Sequence, residues 1–170
     1  RLEILLFQLA GPQLFALNVF KIREVLTLPA LTQMPQRHPH VVGVIHLRGQ
    51  TIPVIDLSGA IGLQPQKAEP DSTIIVTEYN LSVQAFLVRT VDRILNLNWD
   101  AVQPPPRGAG RAHYLTAITR LENMRLVEII DVEKVLAEIV PFNTRVSDAL
   151  LEDPLLERAR GREVLVVDDS

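Results

Sequence analysis

Apolar residues in this chain come in short runs, mostly eight residues or fewer, separated by turn-forming residues; this spacing predicts strands rather than helices. The first run, Glu3 to Leu9, is closed by Gly11-Pro12. A second, Leu14 to Ile22, is expected to turn Leu17, Val19 and Ile22 inward. Pro29, Pro35 and Pro39 punctuate a loop carrying His38 and His40, and the pattern admits one helical turn near His40 to Val44. Gly43 to Leu57, GVIHLRGQTIPVIDL, reads as two apolar strands around a short loop, Arg48-Gly49-Gln50, in which Gly49 can take the positive φ of a hairpin turn. Pro53 has no amide proton for a ladder, so its strand is expected at an edge or paired on one side only.

Ser58 to Leu63 is expected to form a short helix or turn, and Gln64 to Ser72 an exposed loop. Thr73 to Thr77 and Leu81 to Val88 form a second hairpin across Tyr79-Asn80. Val91 to Leu97, Tyr114 to Leu121 and Arg125 to Ile130 bring the total to about nine strands. Pro104-Pro105-Pro106, with Gly108 and Gly110, marks a stiff exposed loop. Helices are scarce. Asp131 is placed to cap one whose apolar positions Val132, Val135, Leu136 and Ile139 share a face, before Pro141. Asp153 and Pro154 start another, ended by Gly161, within a polar connector over 143–162. No internal repeat is evident, and the pattern favours closed or packed antiparallel sheets over βαβ units.

Composition narrows the function classes. With 170 residues, about 70% of the unfolded surface can be buried in one domain. There are no cysteines, which removes disulfides, thiolate metal sites and a cysteine nucleophile. A net charge of -3 disfavours nucleic acid as partner, and no apolar run reaches the ~20 residues of a membrane span. The expectation is a cytoplasmic globular domain, and a start at Arg1 rather than Met suggests a piece of a longer parent. Enzyme motifs are missing: no GxSxG elbow, no GxxxxGK[ST] loop, and Gly108-Ala109-Gly110 follows prolines where a nucleotide-binding strand should be. His38, His40 and His46 lack a further ligand at motif spacing, and nothing local brings Glu24 and Asp56 together as paired carboxylates.

Against that background, GVIHLRGQTIPVIDL resembles the signature hairpin of CheW-like coupling domains, N-LRG-x-x-[IV]-P-[IV]-[IV]-D-L, with His46 where Asn is usual. LEILLFQLAGPQLFALNVFKIREVL looks like the family's opening segment and RLVEIIDVEKVL like its closing strand and helix, so the likeness covers about Leu2 to Val140. Glu163 to Ser170, EVLVVDDS, is similar to the first strand of a response-regulator receiver, whose paired carboxylates, here Asp168 and Asp169, hold a divalent cation. A coupling domain over 1–142, a linker over 143–162 and a receiver strand over 163–170 is an order of parts that resembles CheV proteins.

The resemblance implies a mainly β fold of two packed five-stranded SH3-like barrels with short helices, and no catalysis. It implies an adaptor joining the cytoplasmic tips of chemoreceptors to the histidine kinase CheA. The partner-binding residues it suggests are Arg48 at the hairpin tip, Ile22, Glu24 and Val25 after the second strand, and Gly43 and Val44 at the hairpin's entry, where a missing side chain would let a partner approach. No cofactor is expected here; Mg2+ at Asp168 and Asp169 is expected only in an intact receiver, whose phosphorylation would tune coupling. The alternative is the regulatory domain of a hybrid chemotaxis kinase. A β-barrel enzyme or ligand carrier, which would need a deep polar pocket, has no motif in its favour.

Overall fold

The computed structural model describes residues 1–35, 37–108 and 110–139. Ten strands run in the order β1 (Leu2–Gln8), β2 (Leu14–Asn18), β3 (Ile22–Thr27), β4 (Val41–Leu47), β5 (Gln50–Asp56), β6 (Thr73–Tyr79), β7 (Ser82–Val88), β8 (Thr90–Leu97), β9 (Leu115–Arg120) and β10 (Leu126–Ile130). A four-residue helix, α1 (Leu57–Ala60), follows β5, and a longer helix, α2, occupies 132–139. The linker over 143–162 and the strand over 163–170, with Asp168 and Asp169, lie outside the described residues.

The strands form two five-stranded mixed sheets, ordered β8-β1-β2-β10-β9 and β3-β6-β7-β5-β4. Raising each strand number of the first sheet by five, and counting past ten from one again, reproduces the second order. Each sheet therefore takes two strands from one half of the chain and three from the other. The parallel contacts are equivalent too: β10 beside β2 and β5 beside β7. So are the bridges covering the outer edges, Thr32 on Val44 of β4 and Gln103 on Ile118 of β9. The repetition is topological, and the residues filling equivalent places differ enough to hide it in the sequence.

The interior strands are buried on both faces, which is why their apolar runs barely alternate with polar residues, whereas the edge strands β3, β8 and β9 alternate with exposed positions. In β1, Ile4 and Leu6 face a core belonging to the first sheet, while Leu5 and Phe7 face a second core between the sheets. In β7, Ala85 and Leu87 enter the second sheet's own core, and Phe86 and Val88 enter the shared one. The shared core also takes Phe15 and Leu17 from the first sheet, Ile55 and Ile75 from the second, and Val132, Val135, Leu136 and Ile139 from α2. The apolar face expected of that helix is thus the face it buries, and the Asp131 side chain accepts from the amides of Glu133 and Lys134 as its cap.

Two local expectations change, and two hold. The run Leu14 to Ile22 is two elements, because the Asn18 side chain accepts from the Phe20 amide at 2.9 Å and turns Val19–Lys21 into a 3-10 turn. That turn carries the chain from the first sheet to β3 in the second, giving ten strands where about nine were expected. Val19 and Ile22 do pack inward against the shared core. The stretch His40 to Val44 enters a strand, not a helical turn, since β4 begins at Val41. Pro53 does pair on one side only, opposite Val44, although β5 is an interior strand: its parallel pairing with β7 begins one residue later, at Val54.

Candidate functional site

The β4–β5 hairpin closes in two residues, with Leu47 paired to Gln50, so the loop is one residue shorter than expected. Arg48 and Gly49 have φ of 48° and 79°, and positive values at both central positions are what a type I′ turn requires. Glycine adopts this conformation freely; arginine does not, so local backbone preference is no reason for arginine here. The Arg48 side chain is 70% exposed, and its Nη1 donates to Glu24 Oε1 on β3 at 2.5 Å. That hydrogen bond, aided by the carboxylate's charge, holds the guanidinium's proton more tightly than usual. β3 and β4 are the opposite edges of the second sheet, so the pair spans the gap between them. Beneath it lies an open depression of about 270 Å³ lined by Arg23, Leu47, Gln50, Ile52 and Val83, among others.

The predicted residues divide by position. Arg48 and Glu24 are brought into contact, and Val25, one residue on from Glu24, is 41% exposed. Ile22 is half-buried against the shared core. Val44 is buried, and its amide and carbonyl are both bonded to Thr32 at 2.8 Å, so little of the residue is open to a partner. Gly43 is not left open for a partner. A Cβ there would stand 2.7 Å from the Thr32 carbonyl and 2.9 Å from Leu31 Cγ, so the space belongs to the chain's own covering segment.

Asp56 and Glu24 stay apart. Asp56 is buried, caps α1 by accepting from the Gly59 amide, and also accepts from the Gln66 amide; burial raises its pKa, partly offset by these bonds. His46 is exposed beside Thr51, while the rings of His38 and His40 lie against each other, tilted by 44°. Among the described residues no three His, Asp or Glu side chains are grouped to hold a metal ion. The two most exposed large apolar side chains among the described residues were not anticipated. Phe20 is 85% exposed on the 3-10 turn, and Leu81, 97% exposed, sits with Asn80 at positive φ in the β6–β7 turn. Hydropathy grouped Leu81 with the strand after it, and nothing local separates a turn leucine from a strand leucine.

The fold is a β scaffold of two packed five-stranded sheets, with a charged pair bridging the two edges of the second. Comparison with known proteins agrees: the CheW-like domain family matches residues 3–140, and the chain belongs to that family. It is 33% identical to chemotaxis protein CheV3 of Helicobacter pylori over 99% of its own length, and spans 57% of that relative's. It is 29% identical to a probable chemotaxis protein CheW of Rhizobium etli, over 80% of this chain and 88% of the other. The crystal structure of the scaffolding protein TtCheW from Thermoanaerobacter tengcongensis superposes with a TM-score of 0.70 at 27% identity, covering 76% of this chain and 88% of that one. Proteins of this family are chemotaxis scaffolds and couplers, not enzymes. No helix among the described residues is long and apolar enough to cross a membrane.

Proposed function

We propose that this chain is the cytoplasmic coupling part of a CheV-type protein, joining chemoreceptor tips to the histidine kinase CheA through the edge formed by Arg48, Glu24 and Val25. The observation that carries the reading is Arg48: an exposed arginine in a left-handed turn that favours glycine, steered across the gap by Glu24. Such residues persist where their side chain has a task. A guanidinium with most of its donors still facing water can bond carboxylates or carbonyls on a partner helix, and Val25 adds apolar area beside it. The CheV reading draws on the likeness to CheV3, which runs past residue 140 to nearly the whole chain. In that arrangement the tether over 143–162 keeps a receiver, whose first strand over 163–170 carries Asp168 and Asp169, at high effective concentration beside the coupling domain, and phosphorylation of the receiver tunes coupling.

The test is Arg48→Glu, measured by co-sedimentation of CheA with receptor-containing membranes. The variant retains the wild-type urea midpoint, because the side chain is largely in solvent, while kinase co-sedimentation falls severalfold. Coupling that survives charge reversal in a normally stable protein overturns the assignment.

A further inference from the structure

Away from that edge, a polar cluster sits where the base of the β4–β5 hairpin, α1 and α2 meet. His38 and His40 are both half-buried, with ring centroids 5.2 Å apart. The His38 carbonyl accepts from the Val41 amide at 2.9 Å and the His40 carbonyl from the Asp56 amide at 2.8 Å. The loop is thereby tied to the first residue of β4 and the last of β5. Within the loop the His40 amide donates to His38 Nδ1 at 3.1 Å. That nitrogen accepts only while it carries no proton, so the geometry requires a neutral His38 protonated on Nε2.

Several groups surround this pair. His40 stands in the same loop. The Asp56 carboxylate lies beside His40 at the β5–α1 junction, where Gly59 of α1 leaves room for the imidazole. Glu138 faces His38 from α2 and is itself held by the Tyr114 hydroxyl. Burial and His40 oppose a proton on His38 and Glu138 favours one, and the first two prevail, placing its pKa below 6.5.

We propose that His38 is an acid-released latch on the base of the hairpin. Neutral, it holds the His40 amide and keeps the loop on β4 and β5. Protonated, Nδ1 becomes a donor facing a donor, and the loop lets go of the strands whose other end carries Arg48. The sign follows from the lowered pKa. The unfolded chain takes the proton first, so the stability His38 contributes is complete above pH 6.5 and is lost as pH falls below it toward the folded value. Asp56, whose pKa is raised by burial, changes stability with pH in the opposite sense, so a variant is needed to isolate His38.

The experiment compares the full chain with His38→Asn and His38→Ala by amide hydrogen exchange from pH 7.5 to 5.5, corrected for intrinsic rates. Asparagine keeps an acceptor for the amide two residues on but does not titrate. In the wild type, protection at Val41 and Asp56 falls severalfold toward pH 5.5. In His38→Asn it stays level, and in His38→Ala it is already low at pH 7.5. A wild type with no acid loss, or a His38→Asn profile that tracks the wild type, overturns the latch; this comparison stands even if His38→Ala does not fold.

Discussion

The Tyr114 hydroxyl donates to Glu138, 2.7 and 2.8 Å from its two carboxylate oxygens, and so fastens the segment before β9 to α2. Burial, with the hydrogen bond and charge of Glu138, pushes the phenol up to about 12. Because the folded chain keeps this proton longer than the unfolded chain, the bond's stabilisation is complete below pH 10 and is lost as pH rises toward 12. Phenolate absorbance therefore shows Tyr114 titrating late in the wild type, and Tyr114→Phe removes that step and flattens the alkaline fall in stability. A wild type in which Tyr114 titrates near 10 refutes the contact. Lys21 forms a comparable fastening nearer the start of α2, pairing with Glu133 while lying 5.5 Å from the Tyr79 ring centroid. Both are partners across long sequence separations, and neither has a motif.

At the scale of elements, the β4–β5 hairpin depends on the segment that covers its edge. An open strand edge invites pairing with other chains, and Thr32 closes this one with two hydrogen bonds to Val44. Gly43 makes room for that cover, so Gly43→Ala forces Leu31 and Thr32 away. The expected cost is about 1–3 kcal/mol, as for other overpacked sites, read as a lower urea midpoint with faster exchange of the Thr32 and Val44 amides. A variant as stable as the wild type, with both amides still protected, contradicts this role. The hairpin itself was legible from Gly49, the flanking apolar runs and Pro53. The role of Gly43 was not, because the atoms it avoids belong to a loop eleven to twelve residues earlier whose return to β4 no local pattern announces.

For the molecule as a whole, the shared core makes the two sheets one cooperative body. Phe86 is fully buried there, opposite Ile55 on one neighbouring strand and Ile75 on the other. Phe86→Ala removes about 3–5 kcal/mol, and hydrogen exchange should show β1 of the first sheet and β6 of the second losing protection together. Retention of protection by the first sheet after the second opens would show two independent units instead. The crossed assembly, with each sheet built from both halves of the chain, is the reason a break in one sheet is expected to reach the other.

The residues alone determined a mainly β chain, an arginine-tipped hairpin, and a capped helix after the last described strand. Each rests on chemistry within a few neighbours: apolar run length, the freedom of Gly49, the cap at Asp131. Only the tertiary structure decided that Glu24 meets Arg48, that Val44 and Gly43 serve the body, and that the strands interleave into two equivalent sheets. Those outcomes depend on which distant segments share an edge or a core, and hydropathy marks a residue as buried without saying against what.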